Sequence, residues 1–124
     1  MLVQGELTER VIGLAIEVHK QPGPGLLESV YEECLCFELA EAGVPFQRQV
    51  RVPIVYRDRL LDEGFRADIV VRDELILEIK SVERMLPVHE AQLLTYLRLT
   101  RHKIGLLMNF NMVRLKDGLK RFVM

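Results

Sequence analysis

The chain has no tryptophan, three tyrosines and five phenylalanines among its 124 residues. With so few aromatic groups, and little interleaving with basic ones, a stacking platform for single-stranded nucleic acid is not supported. Cysteine is equally scarce. Cys34 and Cys36 cannot make a disulfide framework, and two positions apart on a helix they point to different faces. Neither has a Cys-x-x-Cys partner or a nearby histidine pair, so zinc is not expected and free thiols are. No run approaches the roughly 18 uncharged apolar residues that a membrane span needs. Met1 to Arg10 carries charges and lacks an apolar segment with a small-residue cleavage site, so no secretory signal is read there. A cytoplasmic location is the expectation. Gly23-Pro24-Gly25 lacks the Gly-Lys-Ser/Thr that would continue a phosphate loop, and reads as a turn.

What is present suits one folded domain over residues 1–124. The apolar fraction of 49% excludes disorder, and folding at this size should bury about two-thirds of the chain's surface. A net charge of -1 does not announce a nucleic-acid binder. The charge is unevenly placed, however. Residues 1–47 hold eight acids against Arg10 and Lys20, and the fifteen other bases face ten acids in residues 48–124. That pattern fits a basic face for a polyanion, or acidic helices docked on a basic sheet. On charge alone the second reading leads.

Leu7, Val11, Leu14, Ala15 and Val18 recur at helical spacing, which predicts a helix from about Gly5 to Lys20. The Pro-Gly turn ends it, and a second helix follows from Leu26 to Ala42, stopped by Gly43. The period then changes to two. Phe46 to Tyr56 reads as a strand, at an edge or bulged because Pro53 cannot donate to a ladder. Arg57 to Asp62 reads as a turn, Phe65 to Val71 and Leu75 to Ile79 as strands. A helix over Val88 to Thr100, a buried strand over Ile104 to Asn109 and a final hairpin around Lys116-Asp117-Gly118 complete the order α-α-β-β-β-α-β-β. The fold class is α/β (α+β), with a single mixed sheet flanked by helices.

The informative stretch is Arg66-Ala67-Asp68-Ile69-Val70-Val71 followed by Leu75-Ile76-Leu77-Glu78-Ile79-Lys80. On a strand, Glu78 and Lys80 share a face while Leu77 and Ile79 point the other way. A three-residue turn over Arg72 to Glu74 pairs Val71 with Leu75 and sets Asp68 opposite Glu78, roughly 4.5–5.5 Å apart at Cβ. Two carboxylates that close repel, and one must hold a proton unless a cation intervenes. Mg²⁺ or Mn²⁺ would suit them, with the Ile79 carbonyl as a further ligand. Lys80 could then stabilise developing charge or position a water. The plain alternative is a solvated ion-pair patch. Glu28, early in the second helix, is a third candidate ligand, or simply favours the helix N-terminus; Tyr31 lies on the same side. His89, Gln92 and Tyr96 share a face of the third helix as a polar wall beside the site, or as groups satisfying backbone at a layer junction.

Gly25-Leu26-Leu27-Glu28-Ser29-Val30-Tyr31 matches the signature of the GxxExxY proteins, which resemble the PD-(D/E)XK nuclease superfamily. Asp68 followed by Glu78-Ile79-Lys80 resembles that superfamily's Asp…(Asp/Glu)-X-Lys motif, with Ala67 where its name has proline. Gln92-Leu93-Leu94-Thr95-Tyr96 resembles a Q-x-x-x-Y element, and Asn109-Phe110 the group's usual strand ending. The likeness runs from about Leu7 to Arg121. It implies a restriction-endonuclease-like α-β-β-β-α-β core, with Glu28, Asp68 and Glu78 as metal ligands or near-ligands. Lys80 becomes the catalytic base, positioner or charge stabiliser, and Gln92 and Tyr96 supporting residues.

The leading expectation is therefore a Mg²⁺- or Mn²⁺-dependent nuclease acting on DNA or RNA. The alternative is a non-catalytic nuclease-fold module binding a protein or nucleic-acid partner. A homo-oligomer formed through the edge near Pro53 or through the last strand stays open. Arg98, Arg101, His102 and Lys103 are either a nucleic-acid patch or solvated charges.

Overall fold

Proline and glycine set the first boundaries. Gly23 and Gly25 take φ of 71° and 103°, and Gly43 takes 70°, values that cost other residues strain. Between these breaks the computed structural model has α1 (Gln4–Lys20) and α2 (Glu28–Glu41), then β1 (Phe46–Tyr56), β2 (Arg59–Val71) and β3 (Leu75–Lys80). They are followed by α3 (Pro87–Thr100), β4 (Ile104–Asn109), a short 3-10 turn (Leu115–Gly118) and β5 (Leu119–Val123). The structure describes residues 4–124, with Asp62 and Glu63 by backbone alone. Residues 1–3, the start of the stretch read for a secretory signal, lie outside the described residues. Among the described residues no helix is long and apolar enough to cross a membrane.

The strands form one mixed sheet in the order β1-β2-β3-β4-β5. β3 and β4 run parallel, joined by α3, and the other neighbours are antiparallel. One face carries α1 and α2, whose buried Leu7, Val11, Ala15, Val18, Tyr31, Leu35 and Leu39 pack on Ile69, Leu77, Ile79, Leu106 and Met108. The other face carries α3, with Leu93, Tyr96 and Leu97 against Val52, Ala67, Val70, Ile76 and Leu107. Covered on both sides, β3 and β4 are nearly all apolar, as the sequence of an interior strand requires.

Two segments differ from expectation. The turn between β1 and β2 is only Arg57-Asp58, both at positive φ (49° and 65°), so β2 starts at Arg59 rather than near Phe65. A two-residue hairpin turn with that twist normally takes Asn or Gly, which hid it from the sequence. The final hairpin is also absent. Residues 113–114 are not a strand, and β5 pairs with β4 instead. Pro53 does lie on an edge strand, at a register shift between Val52 and Ile54.

The face of the β1–β2 pair switches partway along. Ile69 and Val71 point to the α1–α2 side, whereas Phe65 and Ala67 point to the α3 side. The switch falls at Gln49 and Asp68, between the pairs Arg48–Ile69 and Val50–Ala67. Gln49 carries it in a left-handed φ of 51°. The hairpin thereby bends over α3 and leaves β3 behind.

Candidate active site

β2 and β3 pair through Val71–Leu75, Val70–Ile76 and Ile69–Leu77, the register that a three-residue turn dictates. Beyond Ile69 the side chains take over. Asp68 Oδ2 accepts the Ile79 N–H at 2.8 Å, and Glu78 Oε1 accepts the Asp68 N–H at 3.2 Å. The two acids thus replace cross-strand carbonyls at the place where the strands part. They sit together.

Their surroundings are poor in water. Glu78 is 3% exposed; burial, then the charge of Asp68, pushes its carboxyl up to about 8, against the pull of the Asp68 N–H and of Lys80. Asp68 is raised as well, chiefly by burial, with the Ile79 N–H and Lys80 acting the other way. Lys80 is half-buried on the same strand and supplies the nearby positive charge. From α3, Tyr96 packs edge-on against Phe65 at 4.9 Å. Its hydroxyl is raised by burial and by the charges of Glu78 and Asp68, which brings it within their field.

Glu28 and Tyr31 act on the backbone around Lys80 and on the loop before α2. Glu28 is exposed and accepts the Ser81 N–H at 3.1 Å, while Ser81 donates its hydroxyl to the Leu26 carbonyl at 2.6 Å. Tyr31 is buried, donates to the Gly23 carbonyl, and stacks on Phe110 with ring centroids 4.6 Å apart. Phe110 N–H in turn donates to the Lys80 carbonyl at 2.8 Å. Asn109 completes the frame, accepting the Val82 N–H and donating to the Val82 carbonyl. Residues 80 to 82 are therefore gripped from α2 and from the end of β4.

Of the expected wall on α3, Tyr96 comes to the carboxylates. Gln92 is half-buried and makes no side-chain hydrogen bond among the described residues. His89 turns to its own helix, where Nδ1 accepts the Leu86 N–H at 3.0 Å. Ile79 buries its side chain under α1 and α2 and gives its N–H to Asp68.

Glu32 and Gln49 join the cluster without having been singled out in the sequence. Gln49 Nε2 donates to Glu32 at 2.9 Å and, more weakly, to Asp68 Oδ1 at 3.4 Å. Glu32 also binds Arg48 at 2.9 Å, and its charge raises both Asp68 and Glu78. It sits one helical turn after Glu28, a spacing that could have suggested it. The left-handed Gln49 gave no such signal.

A divalent ion suits this donor set. Two adjacent carboxylates, desolvated and repelling each other, are stabilised as anions by a cation placed between them. Among the described residues no group of three or more His, Cys, Asp or Glu converges as a complete cage. Mg²⁺ does not need one, since it keeps waters and binds through one or two carboxylates.

A mixed sheet sandwiched between helices, with an acid pair at the parting of two strands and a lysine beyond it, is the architecture of restriction-endonuclease-like proteins. The family model of the PD-(D/E)XK nuclease superfamily matches residues 5–122, and the chain belongs to that superfamily. The GxxExxY resemblance is consistent with this membership. Among solved structures, the crystal structure of SSO0001 is similar with a TM-score of 0.52 and 18% identity, over 98% of this chain and 79% of that one. At that identity the likeness speaks for the fold alone. A comparison with curated proteins returns no match.

Proposed function

We propose that this protein is a Mg²⁺- or Mn²⁺-dependent nuclease that hydrolyses nucleic-acid phosphodiesters. The reading is carried by the Asp68–Glu78 pair, half-buried and buried respectively, with Glu78 held up to about 8 and Lys80 on the same strand. A divalent ion at this place would supply Lewis-acid chemistry toward a phosphodiester. Asp68 and Glu78, each oriented by the backbone N–H it accepts, would hold it. Lys80 places its ammonium where negative charge develops or where the attacking water must be held. Glu28 contributes from one residue further on, by fixing the backbone that follows Lys80. Tyr96 limits solvent on the α3 side and Gln92 lines the same wall.

Lys80→Ala should abolish divalent-dependent cleavage of DNA or RNA while the thermal midpoint stays within a few degrees. Calorimetric Mn²⁺ binding should disappear in Asp68→Ala and Glu78→Ala. Folded wild-type protein that cuts neither nucleic acid with either metal would sink the hydrolase. If it nonetheless binds Mn²⁺ through these two acids, the non-catalytic module remains.

A further inference from the structure

β3 pairs with only three residues of β2, so from Arg59 to Asp68 the β1–β2 ladder continues as a two-stranded ribbon. Val52, Phe65 and Ala67 turn toward α3. By strand alternation Arg51 and Arg66 therefore project from the opposite face. Both are exposed, and they are direct ladder partners. Partners of that kind hold their Cβ atoms roughly 4.5–5.5 Å apart, and like charges so placed are destabilising.

Ordinary folding does not explain this pair. Among the described residues neither guanidinium has an ion-pair or hydrogen-bond partner, although Arg48, three positions away on the same strand, is held by two glutamates. None of the acids whose side chains are described is set against these two bases. Position adds a second observation. Arg66 lies two residues, roughly 7 Å of strand, before Asp68, and Arg51 lies two after Gln49, whose amide reaches Asp68.

We propose that Arg51 and Arg66 form a clamp for the phosphodiester backbone of nucleic acid, laid along the ribbon toward the carboxylate pair. A phosphate between the two guanidiniums relieves their repulsion and accepts charge-assisted hydrogen bonds from both. The contact reads charge and spacing, not bases, so it positions a strand without choosing a sequence. The proposal rests on nucleic acid being the substrate, but not on its cleavage.

Binding is measured by fluorescence anisotropy in EDTA, so that no hydrolysis intervenes, with a labelled DNA duplex and the matching single strands of DNA and RNA. Arg51→Ala and Arg66→Ala should each weaken binding about three- to tenfold. Each should flatten the plot of log affinity against log salt by ~0.9 on duplex or ~0.7 on single strands. Arg51→Glu supplies the missing cross-strand ion pair. It should hold or raise the thermal midpoint while binding falls further than with alanine, a divergence that a merely structural arginine does not produce. Unchanged affinity and slope in all three variants overturn the clamp, as does wild-type protein that binds none of the probes; an acidic protein then becomes the ribbon's partner. Cleavage that persists alongside unchanged binding in the variants removes the clamp and spares the hydrolase. Arginine-dependent binding by a protein that never cuts spares the clamp and removes the hydrolase.

Discussion

Glu78 decides how the metal-free protein responds to pH. Folded, it keeps its proton up to about 8, against an ordinary 4.5. The folded state therefore binds more protons than the unfolded chain between those values. Stability should be fully present below the unfolded value and be lost as pH rises through about 8, by an amount on the order of a few kcal/mol. Chemical denaturation across pH 5–9 in EDTA checks this, and Glu78→Gln should flatten the profile. Gln49 is a second test. Gln49→Ala removes the amide between Glu32 and Asp68, so Mn²⁺ affinity should fall about tenfold with some loss of stability. Gln49→Asn, which tolerates that backbone, should keep more of the stability than of the affinity. Thiol reactivity should divide similarly: burial pushes Cys36 up to about 11, so iodoacetamide at pH 8 should label the half-buried Cys34 first. The Asp68–Glu78 opposition was legible because a three-residue turn leaves one register. The involvement of Glu32 was not, because it depends on a left-handed glutamine inside a strand.

Among the elements, the end of β3 is the most constrained. Two segments far apart in sequence meet there: Glu28 accepts the Ser81 N–H and the Leu26 carbonyl its hydroxyl, while Asn109 bonds both backbone groups of Val82 and the Phe110 N–H donates to the Lys80 carbonyl. Tyr31→Phe keeps the stack on Phe110 but loses the bond to Gly23, and should cost about 1–2 kcal/mol in urea unfolding. Gly105 marks where α3 touches β4. A Cβ there would come within 2.9 Å of the Leu93 side chain, so Gly105→Val should cost about 1–3 kcal/mol through overpacking. Most elements were readable from apolar spacing and punctuation, since α1 and α2 end beside Pro or Gly, although α3 stops at Arg101, a non-glycine residue at a left-handed φ of 61°. The closing segment was misread because Lys116-Asp117-Gly118 resembles a hairpin turn, whereas Gly118 packs against the Asn109 carbonyl in a 3-10 turn.

At the scale of the molecule, part of the charge asymmetry is spent internally, since Arg48 draws Glu32 and Glu33 of α2 onto β1. Among the described residues Arg51 and Arg66 of the ribbon are not drawn in this way. Both apolar layers share β3 and β4, so the chain should unfold in one transition. Mn²⁺ should raise that midpoint in the wild type and leave it unmoved in a variant lacking both Asp68 and Glu78. The parting of β2 and β3 carries one more consequence. The amides of Asp68 and Ile79 are protected by carboxylates, not by the neighbouring strand. Deuterium uptake at those two positions will therefore follow what the acids are doing, slowing or quickening with ligand occupancy while the rest of the sheet exchanges as before. Nature has left a pair of isotopic gauges at the seam.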